Sequence, residues 1–139
     1  MDNDTVTIKV VDQIGIQKQT LELVVPKLQL TVSELIRLRV HNEFTSAKLY
    51  HETASQQAKE IRKVVDGKAD KQFIWMDSIR KIDLNTTWEA EAEKACQNFQ
   101  NSEFIIIAAG KQLESLDDEL ILDQESTVKF IKLLPLVGG

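Results

Sequence analysis

Between Val32 and Asp66 the chain contains neither glycine nor proline. That limits what this part can become, because those two residues are the usual means of stopping a helix. Just before it, Thr31-Val32-Ser33-Glu34 has the spacing of a capping box. In that motif the hydroxyl meets the N–H three residues on, and the carboxylate reaches back. A helix is expected from here, with Val32, Leu35, Ile36 and Leu38 as its first apolar surface. Val40, Phe44, Ala47, Ala54, Ala58, Ile61 and Val65 continue on three- and four-residue steps, with His51 filling the gap. This is the seam of a helix that packs against another helix. Gly67 is the expected C-terminal cap. Unbroken, the helix would run roughly 50 Å and project as an arm. A break near Thr45-Ser46 or Thr53 would shorten it.

Strands are expected on both sides. Val6, Ile8 and Val10 alternate with Thr5, Thr7 and Lys9, and Leu21, Leu23 and Val25 share one face of a second segment, Gln19 to Val25. Period-two alternation marks half-buried strands, and the Gly15 turn between them predicts a hairpin. Pro26 has no N–H to donate and discourages further pairing. Phe104 to Ala109 is nearly all apolar and stops at Gly110, which predicts a buried third strand. Thr127 to Leu134 predicts a last one. Residues 69–84 read equally as a short helix or a hairpin. Thr86 and Glu89 form a second capping-box pattern, and Trp88, Ala92, Ala95 and Phe99 step along one face of a helix ending near Gln100. That helix is expected to return antiparallel along the first and cover the Ala47–Val65 seam. Strands at both ends with helix between imply an α+β domain.

The formal net charge of -5 disfavours a nucleic-acid partner, since phosphate binding calls for a basic face. Cys96 is the only cysteine, so neither an intrachain disulfide nor a multi-cysteine zinc site is possible. The opening Met1-Asp2-Asn3-Asp4 lacks the basic and apolar regions of a signal peptide, and no apolar run suits a membrane span. The cytoplasm is the expected compartment.

The chain ends Lys132-Leu133-Leu134-Pro135-Leu136-Val137-Gly138-Gly139. A Gly-Gly at a C-terminus, just after a strand, is a sharper signal than the same pair in a loop. Three segments together resemble ubiquitin: Ala109-Gly110-Lys111-Gln112-Leu113-Glu114, then Glu125-Ser126-Thr127, then the terminal Gly138-Gly139. Residues 5–44 are similar to the first half of ubiquitin in pattern only.

The resemblance implies a ubiquitin-like β-grasp fold with a large helical insertion between the main helix and the third strand. On that reading residues 1–44 form the first half of the β-grasp domain, 45–102 the helical insertion, 103–134 the second half and 135–139 a flexible C-terminal tail. It further implies a protein modifier that is not itself an enzyme, holds no cofactor and supplies no catalytic side chain. A partner activating enzyme would use ATP and Mg²⁺ to adenylate the carboxylate of Gly139. A thiolate, on that enzyme or a carrier enzyme, would take the acyl group, and a lysine of a protein target would form the isopeptide bond. A deconjugating peptidase would complete the set. Gly138 and the stretch Leu134, Pro135, Leu136 and Val137 would thread a narrow channel, where residues without side chains let the backbone come close.

Ile107, Ile131 and, with a shifted register, Ile14 fall where the family presents an apolar partner-binding surface. The alternative is that they are core or covered by the insertion. Lys111 falls on a family acceptor lysine. The tail lacks ubiquitin's arginines and is apolar. That is reminiscent of sulfur-carrier proteins, which form a C-terminal thiocarboxylate. The mixture resembles the ubiquitin-like proteins of bacterial conjugation operons, some linked to antiviral defence. A third expectation is a non-covalent adaptor that self-associates through the helical insertion.

Other polar residues read as structural. His41 and His51 lie about 80° apart around a helix and do not share a face, so no metal site is expected. Cys96 sits mid-helix with Lys94 as its only near cation, which reads as a packed thiol. Asp117-Asp118-Glu119 reads as a short helix start or a turn.

Overall fold

A computed structural model describes residues 5–26, 28–65, 75–79 and 81–134, with backbone alone for 50–65 and 77–78. Strand β1 (Val6–Ile14) turns into β2 (Gln17–Val25), and a short β3 (Gln29–Thr31) leads into helix α1 (Val32–Val65). Two further helices follow, α2 (Trp75–Ile79) and α3 (Trp88–Gln100). The chain closes with β4 (Phe104–Ala108), β5 (Lys111–Leu113), β6 (Glu119–Ile121) and β7 (Thr127–Lys132). Five strands form one mixed sheet in the order β2-β1-β7-β4-β5, in which β1 and β7 run parallel at the centre. β3 and β6 form a separate antiparallel pair. The fold is α+β.

The hairpin follows from Gly15. Ile14 and Gln17 close a two-residue loop, and Gly15 has φ 60. A positive φ at the first loop position matches the right-handed twist of the strands and suits glycine. At the other hairpin, Ala109 (φ 54) and Gly110 (φ 73) are both left-handed. Ala109 therefore leaves the predicted strand and enters the turn.

The first capping box forms as the spacing predicts. The Thr31 N–H donates to Glu34 Oε1 at 2.9 Å, and the Glu34 N–H donates to Thr31 Oγ1 at 3.1 Å. The next orphan donors of α1 find partners the sequence does not reveal. The Val32 N–H reaches the Asp118 carbonyl at 2.9 Å, and the Ser33 N–H reaches that of Leu116 at 3.0 Å. The Asp117-Asp118 segment is thus a turn that closes the helix start. α1 runs unbroken through Thr45-Ser46 and Thr53, while Gly67 lies outside the described residues.

The second cap is displaced by one residue from the expected Thr86. Thr87 is extended (φ -106, ψ 157), and its hydroxyl accepts from the Ala90 N–H at 3.1 Å. Thr86 instead donates its N–H to Asp83 within the preceding turn. At its other end α3 stops without glycine. Ser102 has φ 62, with the Ser102 N–H on the Phe99 carbonyl at 3.0 Å and the Glu103 N–H on that of Asn98 at 2.9 Å. Those two bonds define a Schellman motif.

α3 does run antiparallel to α1, but along a different part of it than expected. Cys96 lies 3.9 Å from Ser33 Oγ, Glu93 bonds Arg37 at 2.7 Å, and the Trp88 ring meets His41 edge-on at 4.7 Å. The covered stretch is therefore 33–41. Ala92, Ala95, Cys96 and Phe99 need an apolar partner, and the first turns of α1 already face the core. Val40 and Phe44 are buried, Ala47 is half-buried, and the side chains of Ala54, Ala58, Ile61 and Val65 lie outside the described residues. Residues 69–84 include a short helix, α2, whose Trp75 is buried against Phe104 at 5.8 Å and Phe130 at 6.0 Å. The segment between α1 and β4 thus shares the core.

At the centre lies a buried ion cluster. The Arg39 guanidinium donates to both oxygens of Asp12, one at 2.6 Å, and its Nε donates to Glu43 Oε2 at 3.0 Å. Glu43 also accepts from the Met76 N–H at 3.0 Å and the Trp75 N–H at 3.3 Å. Arg39 lies 4.7 Å from the Phe130 ring centre. Burial works against the Arg39 charge, but the carboxylates of Asp12 and Glu43 outweigh it and hold its pKa above normal. Burial raises the Glu43 carboxyl, opposed by Arg39 and the Met76 N–H.

Two stability measurements follow. Arg39→Met leaves two buried carboxylates without a cation and should cost about 3–5 kcal/mol in urea unfolding. The triple change Asp12→Leu, Arg39→Met, Glu43→Gln should recover most of that. A loss below about 1 kcal/mol for Arg39→Met would contradict the cluster's role. Ser102→Gly relieves the left-handed conformation and should add about 0.5–1 kcal/mol; a loss of stability would rule out the motif as described.

Candidate functional site

The two faces of the sheet differ. Ile8, Val10 and Asp12 of β1, Phe104 and Ile106 of β4, and Val128 and Phe130 of β7 are buried beneath the helices. The alternate residues face the other way. There the register sets Ile105 beside Ile131 and Ile107 beside Lys129, while Val11 lies opposite Lys129 and Gln13 opposite Ile131. Val11, Ile105, Ile107 and Ile131 are half-buried and form one apolar patch that is separate from the core cluster. The strands bring the expected pair Ile107 and Ile131 together diagonally across β4 and β7.

Ile14 does not join them. It falls on the core parity of β1 and packs against the core cluster. The exposed apolar residue of the first turn is Ile16, which is 98% exposed. Sequence reasoning missed Ile16, Val11 and Ile105, although the alternation of β1 and β4 contained the signal for the last two.

Beside the patch, a groove of about 710 Å³ opens between the β4–β5 hairpin and β6, lined by Ile107, Lys111, Glu119, Ile121, Glu125 and Lys129 among others. Lys111 is exposed at the start of β5. The floor of the adjoining loop is set by Asp118, whose carboxylate accepts the N–H groups of Glu114 at 2.9 Å and Ser115 at 3.1 Å. Those two bonds hold its pKa below the usual carboxylate value.

β7 ends at Lys132, so the predicted strand is shorter by two residues. The Leu133 N–H still reaches the Glu103 carbonyl at 3.2 Å. Leu133 is 42% and Leu134 55% exposed. Leu134 leaves beside the first turn, with its Cδ1 3.4 Å from where a Cβ on Gly15 would stand. Pro135, Leu136, Val137, Gly138 and Gly139 lie outside the described residues.

Among the described residues no group of three or more His, Cys, Asp or Glu could hold a metal ion. No helix among them is long and apolar enough to cross a membrane. His41 is exposed against Trp88, and the side chain of His51 lies outside the described residues. Burial pushes the Cys96 thiol up, against a weaker opposing effect of the Ser33 hydroxyl and Arg37. A raised thiol pKa gives less thiolate at neutral pH, the reverse of what a nucleophile needs.

With this geometry in view, comparison with protein families, curated proteins and solved structures returned no match.

Alkylation tests the thiol assignment. Iodoacetamide should modify Cys96 of the folded chain at pH 8 at least about tenfold more slowly than in denaturant, because burial limits both thiolate and access. Equal rates would mark Cys96 as an open, reactive thiol.

Proposed function

We propose that this chain is a ubiquitin-like modifier built on a β-grasp domain, with residues 45–102 as a helical insertion. What supports the reading is the central parallel pairing of β1 with β7, flanked by β2 on one side and β4-β5 on the other, with α1 crossing one face. Because β7 is a central strand, the chain beyond it starts from the rigid middle of the sheet. Leu133 and Leu134 then leave about half exposed. The modifier's carboxylate, on Gly139, is the reactant, and the chain contributes no catalytic side chain. A partner enzyme supplies ATP and Mg²⁺, forms the acyl-adenylate and passes the acyl group to a thiolate. Adenylation makes a good leaving group and divides a hard step into easier ones. A lysine amine then completes an isopeptide bond. The patch of Val11, Ile105, Ile107 and Ile131 gives carrier enzyme, peptidase or target an apolar surface on the sheet.

The tail's apolar character favours a second reading, a sulfur carrier that takes a thiocarboxylate on the same residue. Both use an adenylating enzyme, so one experiment addresses both. The chain is incubated with ATP, Mg²⁺ and an adenylating enzyme from its own host, and ATP–pyrophosphate exchange is followed. Deleting Gly139 should lower exchange at least about 100-fold, since even a displacement of ~1 Å at a reacting centre has that effect. Ile107→Ser should leave adenylation nearly intact. Mass spectrometry of host protein then separates the readings: a Gly139–lysine branched peptide supports conjugation, and an oxygen-to-sulfur mass difference at the terminus supports sulfur transfer. No exchange, together with unchanged covalent adducts in cells lacking Gly139, would leave neither standing.

A further inference from the structure

Among the described residues strand β2 forms one border of the sheet and is paired on one side alone, to β1. Nine residues is long for an unprotected edge, where rows of unpaired N–H and C=O groups invite another strand. The direction of those groups can be read from β1. The Lys9 N–H donates to the Ser126 carbonyl at 3.2 Å, away from β2. Lys9 is opposite Glu22, so this is a non-hydrogen-bonded pair, and the Glu22 backbone groups point to the free edge. The two-residue loop requires the same alternation from its closing pair, Ile14 and Gln17. Lys18, Thr20, Glu22 and Val24 thus present their backbone groups outward. All four side chains are exposed on the sheet face opposite the core, and the turn residue Ile16 is exposed beside the strand's start.

We propose that two copies of this chain pair antiparallel through their β2 edges, with the two-fold axis at Thr20. In that register Thr20 meets its own copy, Lys18 meets Glu22 twice, and each Val24 comes alongside the other copy's first turn, which carries Ile16. Other registers with the same hydrogen-bonding parity fare worse. Centring on Glu22 opposes two glutamates, centring on Lys18 opposes two lysines, and a shift of one residue to either side of Thr20 pairs neither charge with its opposite. Unlike charges directly across strands attract, and like charges repel. Neither the Lys18 nor the Glu22 side chain has a hydrogen-bond or ion-pair partner among the described residues. Val24 at 55% and Ile16 at 98% exposure gain an apolar partner. The product is one continuous sheet across both copies. Edge pairing buries a small area, so the dimer is weak and salt-sensitive.

Sedimentation velocity of the full chain, from about 10 µM to about 1 mM, reads the association. Glu22→Lys and Lys18→Glu should each weaken it about tenfold, since two attractive pairs become repulsive. The double variant Lys18→Glu, Glu22→Lys restores both pairs and should associate like the parent chain. An equimolar mixture of the two single variants should form a heterodimer, because both lysines of one chain then face the two glutamates of the other. Thr20→Pro removes an edge N–H at no cost to the β1 ladder and should abolish pairing, with the circular-dichroism spectrum unchanged. A parent chain that stays monomeric throughout overturns the proposal. So does association that neither single variant weakens, which would assign self-association to another surface such as α1.

Discussion

The Arg39 guanidinium connects parts of the chain that lie far apart in sequence. It grips Asp12 on β1, shares Glu43 with the start of α2, and lies over the Phe130 ring of β7. A charge this deep is stable in place only while its partners stay, because water cannot replace them. Asp12 takes an inward position where the β1 alternation would otherwise put an aliphatic side chain. Its carboxylate must therefore be met by a cation from above the sheet. Arg39 supplies that cation from α1, and Glu43, one turn further on, holds the backbone of Trp75 and Met76. Helix, sheet and the α1–β4 connection are thereby fixed relative to one another.

This arrangement leaves the two sheet faces with different tasks. One is covered by α1, α2 and α3, and its aromatic residues Trp75, Phe99, Phe104 and Phe130 pack ring to ring. The other carries a modest apolar patch at its centre and exposed charge on β2. Under the proposed reading the patch and the β2 edge are two distinct surfaces of one body. A modifier needs surfaces whose recognition does not obstruct chemistry at the end of the chain.

Local features were legible where a motif satisfies itself. The Thr31–Glu34 box and the Gly15 turn depend on neighbours within a few residues and form as the sequence predicts, and of the two courses the sequence left open α1 takes the unbroken one. The misses share a different cause. β3 and β6 are too short for periodicity to register, and they exist because each is the other's partner. The α3 cap moved to Thr87 because Thr86 is used by the turn with Asp83. The Schellman end at Ser102 has no glycine to announce it. Ile14 turned inward because it continues the buried alternation of Ile8, Val10 and Asp12 along β1.

The sequence by itself determined the alternation along the first hairpin, the start of its long helix, and the apolar character of the residues around Gly138-Gly139. Those properties arise from short-range hydrogen bonding and hydrophobic alternation, which neighbouring residues specify. Tertiary structure alone decided that β1 and β7 lie side by side in parallel, that α3 covers residues 33–41 of α1, and that Asp12, Arg39 and Glu43 share one buried site. Each of these pairings joins segments distant in sequence, and burial of surface and charge, which no local pattern encodes, selects among the possible partners.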